Sequence, residues 1–192
     1  MADTVVTVFV EGDTEVDFYK KLIAYLREKK GGRLSCNLDV KNVKGVGNYQ
    51  SKVSRIFLYG VKPQYPGVVH KIVLCYDSDV FLYSRKPPVN WDTVVADLQK
   101  KGASDVRLVK AVTSIEDWFL YDVKGMRNFL HLPSKFKLSG YKGLKGLEIL
   151  FRKVNRIYIK GTRCKGLVDT LDMEVIYPKI KDEIRNLEAL IK

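Results

Sequence analysis

The stretch TVVTVFV at residues 4–10, followed directly by EGDTE at residues 11–15, decides the fold. Its first part is apolar and rich in β-branched residues, which predicts a buried strand. Its second part begins with a glutamate and a glycine, and apolar residues then recur at helical spacing as far as Leu26. A buried strand that turns straight into a helix is the start of a βαβ unit, so the stretch indicates an α/β fold.

A second apolar run ends in the same way. IVLCY at residues 72–76 predicts another buried strand, and the acidic stretch DSD follows it at residues 77–79. Acidic residues that directly follow parallel strands should lie at the same edge of the sheet, and open α/β sheets bind ligands at that edge. Either cluster alone could be a capped helix start or an Asx turn, because both are common. Two clusters at matching strand ends favour a carboxylate metal site that contains Glu11, Glu15, Asp77 and Asp79.

The turn after the first strand brings Glu15 towards Glu11. Gly12 has no Cβ and suits a tight turn, and Asp13 or Thr14 can cap the helix that begins there. Glu15 then lies in the first helical turn, so we expect it to face the same site as Glu11.

The rest of the chain alternates strands and helices without a clear linker, which indicates a mainly parallel sheet flanked by helices. The hydrophobic pattern predicts strands at 4–10, 38–43, 71–76 and 105–112, and helices at 14–30, 49–58, 91–101, 115–129 and 169–191.

Glu116 and Asp117 are further acidic candidates, because they follow a short predicted strand at residues 113–114 and open a helix. Ser114 could instead cap that helix, with both acids offsetting its dipole. We favour Glu116 as an additional metal ligand and give Asp117 less weight.

The strand-terminal Glu11-Gly12, paired with the strand-terminal acidic residues at 77–79, resembles the TOPRIM domain. That domain occurs in topoisomerases, bacterial primases, RecR-type repair proteins and the OLD (overcoming lysogenization defect) nucleases. With Glu15 and the helix start SIEDWFL at 114–120, the chain looks closest to stand-alone OLD-like proteins of microbial and phage-related defence loci. The resemblance covers about residues 4–130 and implies a Rossmann-like parallel-sheet domain that binds divalent metal and acts on phosphodiesters. It divides the chain into a catalytic core at 1–130 and a basic C-terminal extension at 131–192 that packs on the core.

The acidic candidates contain no His or Cys, and hard divalent cations prefer oxygen ligands, so the set predicts Mg²⁺ or Mn²⁺. Two ions could act on one scissile phosphate. Glu11, Asp77 and Asp79 would hold the first ion, while Glu15 and Glu116 would help to hold the second. Lys160 or Lys165 could stabilise the charge that develops at phosphorus.

The chain carries a net charge of +12, and most of the excess lies between residues 133 and 165. This stretch has ten basic residues against one acidic residue, Glu148, and aromatic residues are interleaved with them. Such a stretch is typical of a surface that neutralises phosphates, although a solvated basic face would have the same composition. The predicted nucleic-acid-binding residues are Lys135, Lys137, Lys142, Lys145, Arg152, Lys153, Arg156, Lys160, Arg163 and Lys165.

Several other classes of protein are disfavoured. The GVG stretch at 45–47 lacks the third glycine of a dinucleotide fingerprint, and no Walker A sequence occurs, so any ATPase control needs a partner. No apolar run is long enough to span a bilayer, and the N-terminus does not resemble a signal peptide. The three cysteines lack Cys-x-x-Cys spacing and are expected to be reduced thiols in a cytoplasmic protein.

These observations predict a metal-dependent nuclease that hydrolyses phosphodiester bonds in DNA or RNA, with DNA favoured, in anti-phage or mobile-element defence. A homodimer or an ATPase partner is compatible with the sequence. Two alternatives stay open at this point: a TOPRIM-shaped module that binds nucleic acid without cutting, and a regulatory component that needs a larger partner.

Overall fold

The computed structural model of the chain describes residues 3–78, 89–112 and 114–191. It shows an α/β fold with a four-stranded, all-parallel sheet flanked by helices, so the predicted fold class is confirmed. The strands are β1 (Thr4–Val10), β2 (Asn37–Asn42), β3 (Val69–Asp77) and β4 (Ala103–Ala111).

The strands lie in the order β2-β1-β3-β4, so the chain moves to one side of β1 after the first strand and to the other side afterwards. This reversal makes the carboxyl ends of β1 and β3 a topological switch point, which is where open α/β sheets form a ligand crevice. β1 is buried from Val5 to Val10, as expected for a strand covered on both faces.

Helices cover both faces of the sheet. One face carries α2 (Asn48–Ile56) and α3 (Trp91–Lys100), which pack on Phe9, Ile72 and Leu74. α2 continues into a π-helical turn and then a short 3₁₀ turn that ends at Gln64. The other face carries α1 (Asp13–Lys29), α4 (Ile115–Tyr121), α5 (Val123–Leu130), α6 (Gly143–Lys153), α7 (Leu167–Thr170), α8 (Met173–Ile180) and α9 (Arg185–Leu190).

The predicted helix at 115–129 is wrong as a single element, because α4 ends and α5 begins at Asp122. The Asp122 carboxylate accepts a hydrogen bond of 2.9 Å from Gly125 N and caps the new helix. The predicted strand at 113–114 is also wrong for Ser114, which is the extended N-cap of α4, while Thr113 lies outside the described residues.

The single helix predicted at 169–191 is replaced by α7, α8 and α9. Asp172 separates the first two helices by accepting a hydrogen bond of 2.9 Å from Glu174 N at the start of α8. The apolar spacing in this segment is nearly helical throughout, so the spacing alone did not show where a capping residue restarts the helix.

Helices after residue 130 share one core with the sheet and α1. Leu147, Leu150, Ile176 and Leu187 are buried in the same hydrophobic cluster as Val8. The boundary at residue 130 stays a prediction. None of the helices in the described part of the chain has the length and apolar composition that a membrane crossing requires.

Candidate active site

Four acidic side chains from separate parts of the chain meet at the carboxyl edge of the sheet. Glu11 follows β1, Asp77 ends β3, and Glu15 and Glu116 lie in the first turns of α1 and α4. All four are buried, with exposed fractions of 6% for Glu11, 6% for Glu15, 3% for Asp77 and 1% for Glu116. These residues are named the carboxylate cluster below.

Backbone N–H groups orient three of these carboxylates. Glu15 Oε2 accepts from Glu11 N at 3.0 Å, and Glu11 Oε1 accepts from Asp77 N at 3.2 Å. Asp77 Oδ1 accepts from Ile115 N at 2.9 Å, which ties β3 to the start of α4. The sequence therefore brings the two strand ends and the two helix starts together through direct side-chain contacts with the backbone.

Among the described residues, the negative charge of the cluster is balanced only in part. Burial raises the pKa of Asp77 to about 7, and repulsion from Glu116 and Glu11 acts in the same direction, although Lys160 partly offsets both effects. Burial, followed by repulsion from Asp77 and Glu11, also raises the pKa of Glu15 well above its ordinary value. Near neutral pH the cluster therefore favours an added proton or a cation.

Lys160 lies at the cluster and Lys165 does not contact it. The ammonium group of Lys160 donates a hydrogen bond of 2.6 Å to Asp77 Oδ2. Lys165 is exposed and lines a different cleft, beside Lys20 and Arg163. Of the two predicted lysines, Lys160 has the geometry needed to act on a phosphate at the cluster.

Residues 158–164, named the 158–164 segment below, lie against the start of α1. Asp13 N donates to Gly161 O at 3.1 Å, and a Cβ on Gly12 would lie only 2.6 Å from Gly161 Cα. Gly12 has an extended backbone with φ −142°, so the predicted reason for this glycine, a tight turn, is wrong. Gly12 is required because the 158–164 segment approaches it closely.

The predicted cap of α1 is also wrong. Gly12 is the N-cap and provides no side-chain hydrogen bond. Asp13 instead accepts from Asn42 Nδ2 at 2.6 Å, and the Thr14 hydroxyl donates to Thr162 O at 2.7 Å. Both residues therefore hold neighbouring segments at the site and leave the helix uncapped by a side chain.

Tyr158 holds Glu116 in place. The Tyr158 hydroxyl donates to Glu116 Oε1 at 3.1 Å, and both residues are buried. The other oxygen, Glu116 Oε2, is fully buried and has no hydrogen-bond partner among the described residues. An unpaired buried carboxylate oxygen costs free energy, so this atom favours a ligand in the cluster.

The neighbours of Glu116 have structural roles. Asp117 Oδ1 accepts from Gly143 N at 2.7 Å and thereby holds the start of α6. Ser114 is the N-cap residue of α4, with Glu116 and Asp117 in the first turn, as the alternative predicted. Its buried hydroxyl makes no capping hydrogen bond and has no partner in the part of the chain that the structure describes.

A cleft of about 510 Å³ opens onto the cluster. Lys44 also lines this cleft, on the β2–α2 loop, and lies 3.6 Å from the Asp13 carboxylate. It was not among the residues predicted for the site. A basic residue on a glycine-rich turn at the carboxyl end of a strand was an available signal. No comparable signal indicated Tyr158. The cleft is lined by Glu11, Glu15, Lys44, Gly45, Val46, Lys160, Gly161 and Thr162.

The donor set suits a hard divalent cation, although the cluster is not arranged around one. Its donors are carboxylate oxygens, and within the part of the chain that the structure describes its charge is balanced only in part and Glu116 Oε2 is unpaired. Within residues 3–78, 89–112 and 114–191, however, no group of three His, Cys, Asp or Glu residues is placed so that it could hold a metal ion. The predicted ligand Asp79 lies outside the described residues.

The predicted nucleic-acid-binding residues are exposed, except for Lys160, which is half-buried. Arg163 pairs with Asp17 at 2.9 Å, and the Arg156 guanidinium lies 4.4 Å from the centre of the Phe129 ring. Of the interleaved aromatic residues, Phe151 and Tyr158 are buried in the core and pack there. They cannot stack on a nucleobase in this arrangement.

The cysteines of the described residues are free thiols. Cys36 and Cys75 are buried and Cys164 is half-buried. Burial raises the pKa of the Cys75 thiol, which favours its protonated form and is the opposite of what a nucleophilic cysteine needs.

Comparisons of the chain with protein-family models, with curated proteins and with solved structures returned no match. The TOPRIM resemblance therefore depends on the quoted residues alone and stays a prediction.

Proposed function

We propose that the protein is a divalent-metal-dependent nuclease that hydrolyses phosphodiester bonds with the carboxylate cluster. One observation carries the proposal: four buried carboxylates converge with Lys160 at the switch point of a parallel sheet. Buried carboxylates with this little compensation are costly for stability alone, and such groups concentrate at functional sites.

Glu11, Asp77 and Asp79 would hold one Mg²⁺ or Mn²⁺ ion, and Glu15 and Glu116 would contribute to a second. Ions at such sites supply Lewis acidity and an activated water for attack on phosphorus. The raised pKa of Asp77 means that protons compete with a cation for the cluster near neutral pH.

Lys160 has two roles in this proposal. Without substrate, its ammonium group neutralises Asp77 at 2.6 Å. With substrate bound, the same cation is close enough to the cluster to stabilise the negative charge that develops on the phosphate. Lys44 lines the same cleft from the opposite loop and would attract the phosphate backbone.

The charge distribution supports a nucleic-acid substrate. A buried acidic site repels a polyanion unless basic residues offset that repulsion, and the chain carries a net charge of +12. We favour DNA over RNA, and we extend the proposal to an OLD-like TOPRIM protein that acts in the cytoplasm in defence.

A cleavage assay tests the proposal. Purified protein is incubated with plasmid, single-stranded DNA and structured RNA in Mg²⁺, in Mn²⁺ and in EDTA. We expect cleavage only with metal, and its loss in Glu11→Gln and Asp77→Asn, because each variant removes a charged ligand. Glu28→Gln is the matched control, since Glu28 is exposed near the end of α1 and lies far along that helix from Glu15. Full cleavage by folded Asp77→Asn protein would refute the site.

Binding in EDTA separates chemistry from affinity. Without metal, the carboxylate of Asp77 only repels phosphates, so Asp77→Asn should bind nucleic acid as well as wild type or more tightly. Loss of both binding and cleavage would indicate a folding defect, which a thermal melt would show.

The basic stretch at 133–165 is tested by salt dependence. Lys142, Lys145 and Lys153 are exposed, and their replacement by Gln should leave the fold intact. Each lost phosphate contact should reduce the log–log slope of affinity against salt by about 0.7 on single strands or about 0.9 on duplex DNA. An unchanged slope and affinity would show that these lysines form only a solvated face.

One observation favours a second candidate function, a module that binds nucleic acid without cleaving it. Lys160 already donates a hydrogen bond of 2.6 Å to Asp77, one of the proposed metal ligands, and so offsets its charge without an ion. The same assays separate the two functions, because this module would bind in EDTA and would cleave none of the substrates with either metal.

A further inference from the structure

We propose that a second cleft, between α1 and residues 163–169, is a phosphate-binding subsite for the strand on one side of the scissile bond. The subsite rests on the proposed function, because it assigns to the same substrate a second point of contact. The cleft has a volume of about 460 Å³ and opens beside the helix that carries Glu15.

Two lysines in this cleft are available to a ligand. Lys20 and Lys165 are exposed and have neither an ion-pair nor a hydrogen-bond partner within residues 3–78, 89–112 and 114–191. Each is a mobile ammonium group with three donors, a type of group that binds phosphate as a point charge.

The other charged residues of the cleft are already engaged or balanced. Lys21 Nζ donates to the backbone carbonyls of Val168, Asp169 and Leu171 at 2.9, 2.9 and 2.6 Å, so it holds the cleft wall and keeps its positive charge there. Arg163 pairs with Asp17 at 2.9 Å. With Asp169 counted, four basic and two acidic residues line the cleft, so it carries a net charge of +2.

The chain itself connects this cleft to the carboxylate cluster. Residues 161–171 follow the first half of α1, from the bond between Gly161 O and Asp13 N to the bond between Leu171 O and Lys21 Nζ. Lys160 lines the cleft at the cluster, and Lys165 on the same segment lines the second cleft. Both clefts therefore lie along one seam between α1 and this segment.

One nucleic-acid strand is long enough to reach both clefts. Lys20 lies five positions after Glu15 on α1, and five residues rise about 7.5 Å along a helix axis and turn about 140° around it. Lys165 likewise lies five positions after Lys160 on the neighbouring segment. A duplex strand rises about 3.4 Å per nucleotide. A strand with one phosphate at the cluster can thus place another phosphate, a few nucleotides away, at Lys20 and Lys165. Ammonium groups that contact phosphates position a strand without reading its bases, so the subsite should be independent of sequence.

The test compares Lys20→Gln/Lys165→Gln with a matched control, Lys52→Gln/Lys100→Gln. The control removes the same charge from exposed positions on α2 and α3, on the other side of the sheet. Binding of single-stranded DNA is measured in EDTA at several salt concentrations. We expect the subsite variant to reduce the log–log slope by about 1.4, for two contacts of about 0.7 each, and the control to leave it unchanged.

A second measurement locates the contact on the strand. In a series of oligonucleotides, one phosphate at a time is replaced by a neutral methylphosphonate. Wild type should lose affinity at the linkage that occupies the subsite, and Lys20→Gln/Lys165→Gln should be insensitive to that same replacement. Inorganic phosphate is titrated in parallel, at constant ionic strength, to distinguish a strand phosphate from a free anion. A subsite for a strand phosphate should bind inorganic phosphate too weakly for it to displace the strand.

Identical methylphosphonate profiles for wild type and the subsite variant would overturn the subsite. An equal reduction of the salt slope in the control variant would do the same, as would displacement of the strand by inorganic phosphate. Absence of any strand binding in EDTA would overturn it as well. If the protein binds the strand with the expected profile but cleaves nothing with either metal, the subsite is supported and the nuclease function is refuted. Failure of the subsite and failure of the proposed function are therefore distinguishable.

Discussion

In the absence of metal, the protein should lose stability as the pH rises from 5 to 8, because the carboxylate cluster then has to hold additional buried charge. Asp77 is 3% exposed, and burial is the main reason why its pKa rises from 3.8 to about 7 in the folded protein. In the unfolded chain this carboxyl is solvated and should titrate near 3.8, its ordinary value.

The sign follows from proton binding. Between pH 3.8 and about 7 the folded state holds a proton on Asp77 that the unfolded state has lost, so the free energy of unfolding falls as the pH rises. Below this window both states are protonated, and above it both are ionised, so the contribution is constant. The slope within the window is about one proton, so the rise from pH 5 to pH 7 removes on the order of 2 kcal/mol. The raised pKa of Glu15 acts with the same sign.

The measurement is urea unfolding in EDTA at pH 5, 6, 7 and 8, for wild type and for Asp77→Asn. Asparagine keeps one acceptor oxygen, so it loses the hydrogen bond from either Ile115 N or Lys160 at every pH, but it has no charge to bury. Its neutrality also removes one cause of the raised pKa of Glu15. The stability of the variant relative to wild type should therefore increase by about 2–3 kcal/mol between pH 5 and pH 8. Two parallel stability curves over this range would refute the reasoning, whatever the absolute stability of the variant.

Three further outcomes are expected. Gly12→Ala should destabilise the protein by about 1–3 kcal/mol in urea unfolding, because the added Cβ would lie 2.6 Å from Gly161 Cα. Gly47→Ala is the control and should have little effect, because a Cβ at that position has no atom within 4 Å. Tyr158→Phe should cost about 1–3 kcal/mol by the same assay, since it leaves the buried carboxylate of Glu116 without its hydrogen-bond donor; an unchanged stability would contradict the role of this contact. Addition of Mg²⁺ or Mn²⁺ at 100 times its Kd should stabilise wild type by about 2.7 kcal/mol at pH 8. The stabilisation is followed as a shift of the melting temperature, and a shift of equal size in Glu11→Gln would argue against Glu11 as a ligand.

The sequence alone predicted the parallel sheet and the strand-end positions of Glu11 and Asp77. A strand that is buried on both faces is a short run of apolar, β-branched residues, and such a run is visible locally, as in Thr4–Val10. The start of α1 was predicted within one residue for the same reason, because helical spacing and the acidic first turn are local features.

Local sequence patterns did not predict the ends of helices where a capping residue interrupts a segment of helical spacing. The breaks at Asp122 and Asp172 fall inside stretches whose apolar residues are spaced almost as in one helix. Each aspartate caps the helix that follows it, and Asp122 also accepts a hydrogen bond of 2.7 Å from Asp172 N. That contact between two distant parts of the chain has no signature in either local sequence.

Only the tertiary structure decided which residues complete the candidate site. Tyr158 contacts Glu116 across 42 residues of sequence, and Lys160 contacts Asp77 across 83. Gly12 appeared suited to a turn, but its missing Cβ makes room for Gly161. Composition and periodicity report the environment of a residue along its own strand or helix. The convergence of distant residues depends on how those elements pack, and it is this packing that placed Lys160 at the cluster and left Lys165 in the neighbouring cleft.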